Sequence, residues 1–147
     1  MTGVVGRVLA IDPGSRRVGV AVSDPSATIA QPLSVIAASP EATLVQRLAA
    51  LAREEEASEL VVGLPRRLDG SLGPEAQAAR SLADELRRAT GLAVTLVDER
   101  LTSAAAERAL LSGGVSRARR RQLSDQVAAT MILQSFLDSV RLRKARG

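Results

Sequence analysis

The sequence of 147 residues has no cysteine and no histidine. That excludes disulfides, thiolate or imidazole metal sites, a cysteine nucleophile and every catalytic triad built on a histidine base. Tryptophan and tyrosine are also absent, and Phe136 is the one phenylalanine. This argues against an RNA module that stacks bases on an aromatic platform. No apolar run reaches the roughly 18–20 residues needed to span a bilayer, and the N-terminus lacks the charged-then-apolar layout of a secretory leader. A cytoplasmic protein with no membrane partner is therefore expected.

What is present fits a folded α/β domain. Apolar residues make up 46% and charged residues 24% of the chain, enough for a buried core at this length and unlike a disordered composition. One domain over residues 1–147 is expected, with a basic, frayed tail at about 141–147. Basic residues number 20 against 16 acids, and only Lys144 is a lysine. Arginine forks onto phosphate oxygens, so the balance points modestly to a polyanionic partner.

The apolar pattern predicts strands over Val4 to Ile11, Val18 to Val22 and Thr28 to Ile36. Short turns join them as an antiparallel meander, and Pro32 places the third at a sheet edge. Ser39-Pro40-Glu41 predicts a helix start with Ser39 as cap. A strand is expected from Leu60 to Leu64, and Pro74 opens a second helix with an apolar stripe of Ala78, Ala79, Leu82 and Leu86. Gly91 terminates that helix. A fifth strand runs from Leu92 to Val97, a short helix follows Thr102 or Ser103, and a last helix spans about Leu123 to Val140. Strands alternating with helices after a meander imply a mixed sheet with helices on its faces.

With the usual bases missing, chemistry must rest on carboxylates, hydroxyls and arginines. Gly14 to Gly19 has the glycine spacing of a P-loop, but Val20-Ala21 stands where its lysine and hydroxyl belong. No dinucleotide-binding glycine pattern occurs. Asp12 ends a buried strand, where it is either a site acid or a turn aspartate capping its own backbone. Asp98 and Glu99 end the fifth strand; because strand side chains alternate, one of them shares a face with a given neighbour. The alternative for this pair is a polar strand terminus with Arg100 as ion partner. Asp125 lies within about 60° of Ala128, Ala129, Ile132, Phe136 and Val140 on a helical projection. It is either a carboxylate on the apolar face or an acid in a first turn capped by Ser124. Three acids converging with no nitrogen or sulfur ligand make a hard-oxygen site suited to Mg²⁺ or Mn²⁺. Such ions activate water against a phosphodiester. Arg16, Arg17, Arg66, Arg67, Arg100, Arg117, Arg119, Arg120 and Arg121 lie close to these acids along the chain. They are candidates for holding phosphates, with solvated surface as the alternative.

Ordered motifs over residues 7 to 139 resemble one family. They are Ala10-Ile11-Asp12-Pro13-Gly14 with Gly19-Val20-Ala21-Val22-Ser23-Asp24, then Ala30-Gln31-Pro32-Leu33 and Val62-Gly63-Leu64-Pro65 with Asp69-Gly70. Asp98-Glu99-Arg100-Leu101-Thr102-Ser103 follows, and last Asp125-Gln126-Val127-Ala128-Ala129 with Ile132-Leu133-Gln134. The set is similar to the YqgF/RuvX proteins, relatives of the RuvC resolvases in the RNase H-like superfamily. The resemblance implies an RNase H-like fold: a five-stranded mixed sheet, its first three strands antiparallel, flanked by helices. It implies a divalent-metal nuclease with Asp12, Glu99 and Asp125 as its acids, Asp98 being the alternative to Glu99. It further implies work on the 5′ end of the 16S ribosomal RNA precursor, or on four-way DNA junctions. Resolvases carry a further acid after the fourth strand, where this sequence has Gly63-Leu64-Pro65, and an acid or histidine at the position of Gln122. With only three core acids, occupancy by one metal or two stays open.

Three other readings compete with the RNA nuclease. A junction resolvase makes paired cuts and is expected as a homodimer rather than a monomer. A noncatalytic RNA-binding assembly factor would need the arginines and not Asp12. A nucleotide-binding lobe of the sugar-kinase and actin type would need a second lobe that 147 residues do not supply.

Overall fold

The computed structural model describes residues 6–65, 69, 71–99 and 117–146, with side chains of the last helix described from 127 to 143. Five strands form one mixed sheet in the order β3-β2-β1-β4-β5. They are β1 (Arg7–Asp12), β2 (Arg17–Ser23), β3 (Ala30–Ala37), β4 (Ala57–Leu64) and β5 (Ala93–Asp98). The expected meander is present: β1 pairs antiparallel with β2, and β2 with β3. β4 and β5 then add in parallel beyond β1. Pro32 indeed lies on an edge strand, where its missing N–H costs no ladder bond.

Helices cover both faces. On one, α1 (Leu44–Glu54) and α2 (Pro74–Thr90) pack Leu48, Ala52, Ala76, Ala79, Leu82, Ala83 and Leu86 against Leu9, Ile11, Val20, Leu60 and Val62. On the other, α3 (Arg117–Arg146) lays Ala129, Ile132, Leu133, Phe136 and Leu137 over Val8, Ala10, Ala21 and Val61. The strand period of two divides the sheet residues between the faces, and the helical period gathers the apolar stripes.

Several boundaries differ from expectation. Ser39 caps no helix: Pro40 takes an extended conformation ahead of a 3₁₀ turn at Glu41–Thr43, and α1 begins at Leu44. Arg47 of α1 organises this connection instead. Its guanidinium donates to the carbonyls of Ala37 (2.6 Å), Ala38 (3.5 Å) and Pro40 (3.1 Å). The buried stripe of α2 is Ala76, Ala79, Leu82, Ala83 and Leu86, while Ala78 is exposed. Gly91 terminates α2 in the left-handed conformation at φ 72°, its N–H bonded to the Arg87 carbonyl. The last helix is longer at both ends than the apolar stripe implies. Residues 117–122 and 141–146 are helical, so 141–146 is not a frayed tail. Arginine is a good helix former, and a polar turn extends a helix whose centre is already packed. The helix expected after Thr102 lies outside the described residues.

Candidate active site

Strand register decides which side chains share a face. Asp12 is opposite Gly19 on β2, and the row below it runs Ile11–Val62–Leu96 across β1, β4 and β5. One residue further along, Asp12 has Gly63 as its β4 neighbour, and Gly63 pairs with Val97. This row faces α3, since Val8, Ala10 and Val61 of the same alternation all pack under that helix. Asp12 is only 6% exposed. A buried carboxylate at the C-terminal end of a central strand needs compensation by cations or hydrogen-bond donors.

The same alternation places the acid that ends β5. Asp98 pairs with Leu64, whose side chain belongs to the α1/α2 core, so Asp98 lies on the face away from Asp12. Glu99 is the first residue past the strand, two beyond Val97 and half-buried. Strand spacing alone could not choose between these acids; the register against Leu64 places Asp98, and Glu99 follows the last paired residue.

The direction of α3 follows from its two ends. Ile132 lies over Gly63, near the C-terminal end of β4, while the guanidinium of Arg143 acts on Glu59, near the start of that strand. The helix therefore runs antiparallel to β4. Its residues before Ile132 continue toward the edge at which Asp12 stands. Asp125 is on this stretch, seven residues and about 10 Å of helix rise before Ile132. The helix begins at Arg117, so Asp125 is past the second turn and Ser124 is not its cap. The first-turn explanation for that acid does not apply. Its side chain lies outside the described residues.

Of the candidate arginines, Arg16 is exposed on the turn that follows Asp12, and Arg17, half-buried, is the first residue of β2. The Arg16 carbonyl accepts the N–H of Ala38 at 2.8 Å, tying this turn to the segment that Arg47 holds. Arg66, Arg67 and Arg100 lie outside the described residues. So do the side chains of Arg117, Arg119, Arg120 and Arg121, which sit on the first turns of α3. Asp69 accepts the N–H of Ser71 at 2.9 Å, a local loop role. Among the described residues no three acids lie together as a metal-holding group.

Two polar anchors and a cleft were not singled out for a role from sequence. Gln134 of α3 accepts the N–H of Ala30 (2.9 Å) and donates to the carbonyl of Thr28 (3.1 Å) and to Asp138 (3.0 Å). Asp24 accepts the N–H groups of Thr28 (2.8 Å) and Ile29 (2.9 Å) and the hydroxyl of Ser26. These donors hold its carboxyl well below the usual carboxylate range, the Ile29 N–H foremost. At the start of β4, burial pushes the Glu59 carboxyl up, opposed by Arg143. A cleft of about 460 Å³ opens on the α1/α2 face between the Pro13–Ser15 turn, Val18, Leu44 and Leu82, with Glu41 and Glu85 at its walls. Its charged lining is acidic, the wrong sign for a phosphate chain.

Comparison with known proteins agrees with this architecture. The family model described as "RuvX: Holliday junction resolvase" matches residues 6–139. The chain belongs to the RuvX family. A relative from Moorella thermoacetica is 49% identical over 132 residues, covering 90% of this chain and 94% of its own. One from Roseiflexus sp. is 45% identical over 141 residues, covering 96% of this chain and all of its own. Both carry the name "Putative pre-16S rRNA nuclease". Among solved structures, T. thermophilus RuvC in complex with a Holliday junction substrate superposes with a TM-score of 0.58 at 16% identity. It covers 92% of this chain and 98% of that one. The RuvX chain thus has the RNase H-like fold that its motifs imply.

Proposed function

We propose that this chain is a divalent-metal-dependent nuclease that hydrolyses phosphodiester bonds in a ribosomal RNA precursor. The observation that carries the reading is Asp12: a buried carboxylate at the C-terminal end of β1, beside a β4 position without a side chain. The names of the relatives support the substrate class.

The donor set fits a hard cation. With no histidine or cysteine in the chain, ligands are oxygens, which suits Mg²⁺ or Mn²⁺. Gly63 puts no side chain of its own beside Asp12, and Ile132 of α3 covers that position. Asp12, Glu99 and Asp125 are the ligands in this reading. The register favours Glu99 over Asp98, which shares its row with a core leucine on the opposite face. When bound, the ion supplies an activated water and charge neutralisation at the scissile phosphate. The chain's own contribution is to hold three carboxylates on rigid elements. Arg16 and Arg17 hold the substrate's phosphates, together with Arg66, Arg67, Arg100, Arg117, Arg119, Arg120 and Arg121. No described helix is long and apolar enough to cross a membrane, in keeping with action in the cytoplasm.

The test is cleavage with Mn²⁺ or Mg²⁺ of single-stranded RNA, a 16S precursor fragment and a four-way DNA junction, by wild type and Asp12→Asn. The expected result is RNA cleavage that the variant loses by about a thousandfold, several kcal/mol of transition-state stabilisation. Full activity in folded Asp12→Asn overturns the assignment. Symmetric paired nicks in the junction, made by a homodimer rather than a monomer, move the substrate to branched DNA. RNA binding without cleavage leaves a noncatalytic assembly role.

A further inference from the structure

Two arginines near the Asp12 edge are used in opposite ways. Arg47 stands half-buried at the start of α1, and its guanidinium is committed to the molecule's own oxygens. Nη1 donates to the Ala37 carbonyl at 2.6 Å, and Nη2 to the carbonyls of Ala38 at 3.5 Å and Pro40 at 3.1 Å. Nε donates to the Thr43 hydroxyl at 3.2 Å. All three nitrogens of the fork are thus engaged. Arg16 is exposed, and among the described residues its guanidinium has no partner.

The backbone joins the two. The carbonyls that Arg47 holds belong to the segment leaving β3 for α1. Ala37 is the register partner of Arg17, and the Ala38 N–H donates to the Arg16 carbonyl at 2.8 Å. That bond lies one residue past the last β2–β3 pair, where a ladder ordinarily frays. On its other side the turn is closed on itself, since a Cβ at Gly14 would strike the Arg17 carbonyl oxygen. We propose that Arg47 is a positioning residue for nucleic-acid binding: by clamping the carbonyls from Ala37 to Pro40 it holds the Arg16 backbone where the free guanidinium meets a substrate phosphate. This rests on the reading of Arg16 as a phosphate-holding residue. Arginine suits the task because its planar fork reaches several carbonyls from one side chain. A backbone held in advance lowers the ordering cost of the contact it presents. Asp12 is held separately, on a strand paired on both sides, so the effect of Arg47 falls on binding.

A double-mutant cycle tests this. Wild type, Arg16→Ala, Arg47→Ala and Arg16→Ala/Arg47→Ala are titrated against a fluorescein-labelled single-stranded fragment of the 16S precursor. Anisotropy is read in EDTA at several salt concentrations, and thermal unfolding shows each protein folded at the assay temperature. Arg16→Ala should bind about fivefold more weakly, its salt slope reduced by about 0.7, as for one lost phosphate contact on a single strand. Arg47→Ala should bind about threefold more weakly, a coupling of the size seen within one hydrogen-bond network. The double variant should bind as Arg16→Ala does. A merely structural loss would lower the unfolding temperature without making the effect of Arg47→Ala depend on residue 16. Wild-type affinity in Arg47→Ala, with Arg16→Ala weakened, means that the strand ladder holds the turn unaided and overturns the proposal alone. So does an equal loss from Arg47→Ala with and without Arg16. RNA binding that is undetectable in wild type, or unchanged in Arg16→Ala, overturns the reading of Arg16 and the proposal with it. If Arg47→Ala does not unfold cooperatively, Arg47→Lys, which keeps the charge and loses the fork, is read in its place by the same criteria.

Discussion

The two faces of the sheet are packed differently. Against α1 and α2 the strands contribute Leu9, Ile11, Leu60 and Val62, and the helices answer with leucines and alanines mixed, Leu48, Leu82 and Leu86 beside Ala76, Ala79 and Ala83. Against α3 the strands alternate Val8 and Val61 with the small Ala10, Gly19, Ala21 and Gly63, and the helix supplies Ile132, Leu133, Phe136 and Leu137. Both arrangements fill the space between the layers, as close packing demands. They differ in what happens when the helix stops supplying bulk. On the α1/α2 face β4 stays apolar to its end, with Leu64 still in the core. On the α3 face the helix's apolar cover reaches Gly63 through Ile132. The strands there offer a carboxylate and bare backbone. Gly19 and Gly63 flank Asp12 at this end of the sheet, so the carboxylate has small neighbours on both adjoining strands.

Truncations test this reciprocity most strongly. Leu60→Ala on the α1/α2 face and Leu133→Ala on α3 should each cost about 2–5 kcal/mol. Their small counterparts, Ala79→Gly in α2 and Ala10→Gly in β1, should each cost about 1 kcal/mol. Denaturant unfolding of the four proteins measures this. Equal costs for Leu60 and Ala10 would mean that the sheet carries both faces alike. Leu60→Ala should also leave the Mn²⁺ affinity of the folded protein unchanged, since Leu60 faces away from Asp12.

Much of this division was legible in the residues. The unbroken apolar run from Val8 to Ile11 identifies a strand buried on both faces, and the stripe through Ala129, Ile132 and Phe136 identifies the helix face that packs on the sheet. The link between Asp12 and the family's acids came from ordered motifs, since an acid before Pro-Gly reads equally well as a turn residue. Other features depend on contacts between distant segments. Ser39-Pro40-Glu41 has helix-start chemistry, yet the connection is organised by Arg47, several residues on. The face of Asp98 depends on the β4–β5 register, which no local pattern encodes. Gly63 reads in sequence as a missing acid; in the fold it is the position where Ile132 and Asp12 meet. The length of α3 escaped the apolar stripe because its end turns are basic and polar, and helix propensity there has no burial signal to accompany it.

A smaller effect is expected where the helix is tied to the sheet's edge by polar contacts. Gln134 spans from α3 to the start of β3 with one acceptor and two donor contacts. Gln134→Ala leaves the Ala30 N–H and the Thr28 carbonyl without this partner and should cost about 1–2 kcal/mol. Gln134→Glu keeps an acceptor for Ala30 but turns the donor toward Thr28 and Asp138 into a second acceptor. It should therefore be the more destabilising at neutral pH and recover as the acids protonate. The α1/α2 face has its own polar ties, from Arg47 to the Ala37 carbonyl and from Arg87 to the Val94 carbonyl, but a guanidinium keeps its charge over this pH range, so an alanine substitution there should show no such pH-dependent recovery. Thermal unfolding of both variants at pH 5 and pH 8 checks the point, and indistinguishable variants would mean that Gln134 acts by packing alone.

The smallest effect belongs to Asp24, at the β2–β3 turn on the same side of the molecule. Its carboxylate accepts two backbone N–H groups and a serine hydroxyl, which lower its pKa in the folded state. A group whose folded pKa is depressed contributes stability that is present above its unfolded value, about 3.9, and lost as pH falls through the folded one. The Asp24 contribution is therefore constant at neutral pH and disappears only in acid. Asp24→Asn retains a carbonyl oxygen for one N–H but cannot titrate. Its stability should lie slightly below wild type at pH 7, and the gap should close as pH drops below about 4. Asp24 is half-buried on a surface turn, so salt should shrink the gap as well. A gap that stays constant into acid would place the turn's strength in its backbone geometry rather than in the charge of Asp24.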